Sequence, residues 1–142
     1  MEKIVADIAI VQALQRSETV ETLVEHRIFN TMRPEYDEQE DKIPYIVVTY
    51  EGMTNDNDNK DSIEGDEDVE RVNVLIVAQD RVQLSNIINE ARTAIRDYLG
   101  GDAFDTYGIA DYSVSASVIL GDWTVPCVYQ SLNYTISTSL TQ

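Results

Sequence analysis

The sequence predicts an α+β domain: a four-stranded, mainly antiparallel sheet with helices packed on one face, in the order α-α-β-β-α-β-β. Two observations carry this. Apolar residues recur every three or four positions in two N-terminal segments and again over 81–99, which is helical spacing. They alternate, or run β-branched and aromatic, in four longer stretches that fall into two hairpin pairs.

The first helix is expected over Lys3–Gln15, where Ile4, Ile8, Val11 and Leu14 make an apolar stripe. Ser17 can cap a shorter second helix, with Glu18 and Glu21 in its first turn and Val20, Leu23 and Val24 facing inward. Arg27-Ile28-Phe29 reads as a short extended piece, and residues 31–42 as a polar connection containing Pro34. Pro44–Glu51 is a strand, β-branched and aromatic throughout. In Val69–Ala78, Val72, Val74, Ile76 and Ala78 define a core face. The opposite face carries Arg71 and Asn73 but also Leu75 and Val77, which implies partial cover by another element or a neighbouring subunit.

Arg81–Leu99 is the strongest helix. Asp80 suits the N-cap and Gln83 the third position of a capping box. Leu84, Ile87, Ile88, Ala91, Ala94, Ile95, Tyr98 and Leu99 form its apolar face, and Gly100-Gly101 stops it. Tyr112, Val114, Ala116, Val118 and Leu120 then alternate with Ser113, Ser115 and Ser117. Residues 121–126 turn, and Val128–Leu140 returns with Leu132, Tyr134 and Ile136 on one face.

At 142 residues, with 43% apolar side chains, the chain suits one domain spanning 1–142 with a real core. The formal net charge is −16 and the pI about 4.1. Such a field disfavours direct binding to nucleic acid or to an anionic membrane surface. No apolar run approaches the roughly 18–20 residues that span a bilayer. A single cysteine, Cys127, excludes an internal disulfide framework, and Met1-Glu2-Lys3-Ile4 has no signal-peptide pattern, so synthesis in a reducing compartment is expected.

Acid is concentrated between the second hairpin's predecessors. Glu51 to Glu70 holds nine acidic residues and one base, Lys60, and is expected to be a long loop that serves interaction or assembly. Its interaction candidates are Asp56, Asp58, Asp61, Glu64, Asp66, Glu67 and Asp68, with Trp123 at the later turn as a possible contact anchor. The loop also invites a calcium reading. Counted from Asp56, Asp58 falls third and Glu67 twelfth, as in an EF-hand loop, which makes Asp56, Asp58 and Glu67 weak metal candidates. Lys60 and Asp61 then occupy the fifth and sixth positions, where a ligand oxygen and a glycine are needed.

Catalytic signals are absent from the sequence. His26, the only histidine, stands in a helix-to-strand junction without a serine or cysteine motif, and reads as a surface or capping residue. Cys127 reads as a small buried hydrophobe. There is no Gly-x-Ser-x-Gly, phosphate-cradling loop or His-Glu-x-x-His. No catalytic residue, cofactor or enzyme activity is expected. The serines and threonines at 113, 115, 117, 131, 135 and 137 make a flat, uncharged face, suited to a subunit interface or to solvent.

Several strings, in order, resemble phage tail completion and tail terminator proteins. Leu23-Val24-Glu25-His26-Arg27-Ile28-Phe29 resembles their "L-v-x-x-R-I-y/f" string, and Ile43-Pro44-Tyr45-Ile46-Val47 their "l-P-Y-I-v" strand. Val69–Ile76 followed by Ala91-Arg92-Thr93-Ala94-Ile95-Arg96-Asp97-Tyr98-Leu99 is similar to their strand and "a-x-x-V-R-x-x-L" helix. The resemblance spans nearly the whole chain. It implies a homo-hexameric ring at the virion neck, assembled in the bacterial host cytoplasm, that caps the tail tube protein and meets the head connector. A head completion or neck adaptor protein is the alternative within virions, and a calcium-responsive binding module the alternative outside them.

Overall fold

The computed structural model describes residues 6–30, 43–55, 67–101, 109–122 and 127–139. Among the described residues three helices and six strands follow one another as α1 (Ala6–Arg16), α2 (Glu18–Leu23), β1 (Ile28–Asn30), β2 (Tyr45–Asn55), β3 (Glu67–Ala78), α3 (Arg81–Leu99), β4 (Ile109–Ala116), β5 (Leu120–Asp122) and β6 (Cys127–Ser139). The α+β expectation holds, but the sheet has six strands and the order is α-α-β-β-β-α-β-β-β. Both added strands are three residues long, too short to show a period.

Strands lie side by side as β1-β2-β3-β6-β4, with β5 also paired to β6. The expected hairpins β2–β3 and β4–β6 are both present and antiparallel. They join through a long antiparallel ladder between β3 and β6, from Glu67 opposite Ser139 to Ala78 opposite Val128. Since β3 and β4 both oppose β6, they run parallel to each other, and α3 makes the crossover between them. Among the described strands the one parallel pair is β1 with β2. It is secured by Ile46 N–H donating to the Arg27 carbonyl and by Arg27 Nε donating to the Pro44 carbonyl, each at 3.0 Å. β5 arises because the run expected to end at Leu120 breaks at Ser117. There the Ser117 hydroxyl accepts from Ser131 N–H at 3.1 Å, while Ser117 N–H donates to the Ser131 carbonyl at 2.9 Å.

The helices cover one face. Ile46, Val48, Val72, Val74, Ile76, Leu132, Tyr134 and Ile136 are buried in one cluster with the inner faces of all three helices. In α3 the buried residues are Leu84, Ile87, Ile88, Ala91, Ile95, Tyr98 and Leu99, as the spacing predicts, with Ala94 partly buried. Each large aliphatic side chain contributes about 1.5–3 kcal/mol. Asp80 caps this helix, its Oδ1 accepting from Gln83 N–H at 2.8 Å, and Gln83 Oε1 in turn accepts from Gln79 N–H at 2.7 Å. Gly100 and Gly101 donate to the carbonyls of Arg96 and Tyr98 and end it.

In α1 the buried face is different from the expected one. Ala6, Ala9, Ile10, Ala13 and Leu14 are buried, Val11 only partly, and Ile8 is 39% exposed; Ile4 lies outside the described residues. Three alanines let the helix axis approach the sheet and α3 closely, and that shape outweighs the larger hydropathy of the other stripe.

Ser17 caps α2 as expected, accepting from Val20 N–H at 3.2 Å. The helix ends in a Schellman arrangement: His26 N–H donates to the Glu21 carbonyl at 2.8 Å and Glu25 N–H to that of Thr22 at 3.2 Å. Glu25 and His26 both take positive φ, 53° and 65°, and the reversal feeds the chain directly into β1.

Candidate interaction surfaces

The acidic stretch is shorter as a connection than its composition suggests. β2 continues to Asn55 and β3 begins at Glu67, so the loop expected from Glu51 to Glu70 is, at both ends, a two-stranded ribbon. Polar strand residues carry no hydropathy signal, so composition does not reveal this backbone ladder. Between Tyr50 and Gly52 the register shifts by one residue, and Gly52 takes φ +123°. The bulge re-aims the ribbon beyond it, with glycine at the position where a side chain would be strained.

Of the interaction candidates, Asp56, Asp58, Asp61, Glu64, Asp66 and Trp123 lie outside the described residues. Glu67 and Asp68 belong to β3, opposite Ser139 and Thr138 of β6. For the calcium reading, this places the twelfth loop position, Glu67, within a β-ladder. Among the described residues no three His, Cys, Asp or Glu side chains gather as a metal ion would need.

Glu70 has left the acidic group altogether. It is 1% exposed, on the helix side of β3, and its Oε1 accepts from Ala6 N–H at 2.9 Å, 64 residues away in sequence. A carboxylate thus meets the first described N–H of α1, where the helix dipole favours negative charge. The parity of β3 contained this signal: Glu70 continues the series Val72, Val74, Ile76, Ala78. Asp7, in the first turn of α1, is also buried.

The sheet's other face is graded. One cross-strand row reads Tyr45, Val77, Tyr129, Leu120, and the next Val47, Leu75, Ser131; Phe29 stands edge-on to Tyr45 at 6.4 Å between centroids. Tyr45 and Val77 are buried, Val47 and Leu75 half-buried, which matches the expected half-apolar face. Further along, Thr49, Asn73, Asn133 and Ser115 make a wholly polar row, with Asn73 Nδ2 donating to Asn133 Oδ1 at 2.8 Å. Ser113, Ser115, Ser131, Thr135 and Ser137 share this face as expected, whereas Ser117 turns into the backbone ladder.

A third surface was not singled out by sequence. Arg92 and Arg96 stand one turn apart on the exposed side of α3 and line a groove of about 300 Å³ with Asn89, Tyr112 and Tyr134. The tyrosine rings lie 6.1 Å apart. Burial pushes the Tyr134 phenol well above its ordinary value, the Arg92 charge opposing and Tyr112 adding to that rise. The Arg92 guanidinium engages no carboxylate among the described residues, and Arg96 Nε reaches only the exposed Asp97 beside it, at 3.3 Å. Like charges at this helical spacing cost a few tenths of a kcal/mol, and neither arginine has an acidic residue three or four positions away. The groove depends on tertiary placement of β4 and β6 beside α3, which helical spacing alone cannot reveal.

His26 is a capping residue as expected: its side chain is 79% exposed and its Nδ1 contacts the Glu21 carboxylate. Cys127 is only half-buried, at the start of β6, because β5 covers a single side of that end of the strand.

No family model matches the sequence, and no curated protein matches it. Among solved structures, a chain from the virion of a native gene transfer agent particle has the same fold. Its TM-score is 0.63 at 12% identity, over 94% of this chain and 93% of that one. At that identity the likeness is one of fold.

Proposed function

We propose that this chain is a non-enzymatic structural protein of a phage-type virion, acting at the head–tail junction as a ring that caps the tail tube and ends its growth. The observation that carries this is the match of fold, from end to end, to a chain of a virion particle. It joins the ordered resemblance to tail completion proteins carried by residues 23–29, 43–47 and 69–99. Fold alone does not assign function; here it agrees with surfaces suited to contact: an acidic ribbon, a flat polar sheet face and a basic groove beside α3.

The mechanism is geometric. A heterologous contact that closes by rotation gives a ring and stops, whereas one that does not close continues as a filament. The negative charge of the ring would keep a passing polyanion from adhering.

Electron microscopy of the purified protein mixed with tail tubes tests the reading: a ring at one end of each tube is expected. Addition to filled heads instead of preformed tails would make the protein a neck adaptor. Attachment to neither would refute the proposal, and calorimetric binding of calcium at sub-millimolar concentration would favour the module reading in its place.

A further inference from the structure

The proposed function leaves the outer face of the sheet without an occupant. From the Tyr129 row to the Ser137 row it is four strands wide: β2, β3, β6, and beyond β6 first β5 and then β4. Among the described residues the Tyr129, Ser131 and Asn133 rows hold no charged side chain. Towards the ribbon end stand Arg71, Glu51 at the bulge beside it, and Asp111 opposite Ser137, which together carry −1 of the chain's −16. A basic partner would be drawn to the acid elsewhere on the molecule. A second copy, carrying the same −16, is repelled there and can touch only where charge lapses.

The chemistry of this face is also complementary to itself. Serine and threonine hydroxyls and asparagine amides each donate and accept, so the same groups on an opposed copy satisfy them. The Asn73–Asn133 hydrogen bond at its centre uses the Asn73 nitrogen and the Asn133 oxygen. Asn73 Oδ1 and Asn133 Nδ2 take no part in it, and a second copy brings the matching donor and acceptor. Val47 and Leu75, half-buried, and Leu120, 47% exposed, supply apolar area at the end away from the ribbon.

We infer that two copies of this chain pair face to face through this surface about a two-fold axis. The same patch then serves both copies, and assembly closes at two. The stretch of β6 from Tyr129 to Ser137 spans about 30 Å, and four strands about 19 Å. Each copy thus covers roughly 570 Å² and the pair roughly 1,100 Å², just above the ~1,000 Å² that a specific interface needs. So small an area corresponds to a pair of about micromolar strength. Salt sets it apart. Screening shortens the reach of the mutual repulsion and leaves a neutral contact nearly untouched, so pairing tightens as salt rises. A contact between opposite charges would weaken. The pairing goes beyond the proposed function and does not rest on it, since a ring is built on heterologous contacts.

Sedimentation velocity on the full chain, from micromolar to millimolar concentration, tests it. A monomer–dimer equilibrium is expected, at least about threefold tighter in about 0.5 M than in about 0.05 M sodium chloride. Ser115→Glu with Thr135→Glu places like charges across the interface and should weaken pairing about tenfold or more. Ser85→Glu with Asn86→Glu puts the same charge on the exposed side of α3 and should leave pairing within about twofold. Circular dichroism confirms that both variants fold. A measurement on wild type alone covers a variant that does not: dilution should move the amide NMR signals of Ser113, Ser115, Asn133 and Thr135 and leave those of α3 in place.

A chain that stays monomeric at millimolar concentration in high salt overturns the pairing. So does association that weakens with salt, that ignores the substitutions on the face, or whose dilution shifts fall on α3. Rings on tail tubes built from a chain that is monomeric when free would sink this pairing alone. Pairing without rings would sink only the proposed function.

Discussion

Glu70 offers the sharpest test of how the fold is held. Replacing it by alanine removes the acceptor for Ala6 N–H at the start of α1. A hydrogen bond to a charged group is worth about 1.5–3 kcal/mol, and a carboxylate near a helix N-terminus adds about 0.3–1 kcal/mol. The side chain is fully enclosed, so the loss is not softened by water, and about 3 kcal/mol is expected. With a urea m-value near 2 kcal/mol/M, the midpoint should fall by roughly 1.5 M at unchanged m. Glu70→Gln keeps an acceptor oxygen without the charge and should cost about 1 kcal/mol by the same magnitudes. The decisive variant is Glu70→Met, similar in volume and without an acceptor. If urea unfolding followed by far-UV circular dichroism finds it as stable as wild type or more so, then desolvation of the carboxylate outweighs its partners. The reasoning here would be refuted.

Three further outcomes follow from the packing. Ala9→Leu should overpack the close approach of α1 and cost about 1–3 kcal/mol in chemical denaturation, whereas Ile8→Ala, on the exposed side, should be within about 0.5 kcal/mol of wild type. Glu25→Gly should raise the melting temperature by about 1–3 °C in calorimetry. It relieves a left-handed conformation costing roughly 1–2 kcal/mol and gives back about 0.5–1 kcal/mol in backbone entropy. Tyr134 predicts an alkaline effect. Burial raises its folded pKa above the ordinary 10.0, so the contribution is intact below that value. It is lost as pH rises beyond it, because only the unfolded chain releases the proton there. Stability should therefore fall more steeply between pH 10 and 11 in wild type than in Tyr134→Phe, with parallel slopes at pH 7–9.

What the sequence disclosed tracks where a period could develop. α3, with nineteen residues, shows its face, caps and stop directly, and the hairpins β2–β3 and β4–β6 follow from runs of alternating residues. β5 is invisible at three residues, and β1 shows only as the short extended piece Arg27-Ile28-Phe29, without its pairing to β2. The face of α1 was missed because alanines carry little hydropathy, although their small size is what brings the helix close. Acidic composition hid the continuation of β2 and β3, and with it the inward turn of Glu70. Of the surfaces, the polar sheet face was readable from parity. The arginine groove was not, since Tyr112 and Tyr134 reach it from strands distant in sequence.

Charge explains why these surfaces fall where they do. Of all the charged residues only Asp122 lies within 112–142, the stretch that forms most of β4 and all of β5 and β6. The acid sits instead on the helices, on the β2–β3 ribbon and in the segments between elements. Two copies carrying −16 each repel once their surfaces come within about a Debye length, roughly 8 Å at physiological salt. They can close that distance only where charge is sparse or opposed. The β4–β6 side supplies both conditions, an uncharged face on one side of the sheet and the arginines of α3 on the other.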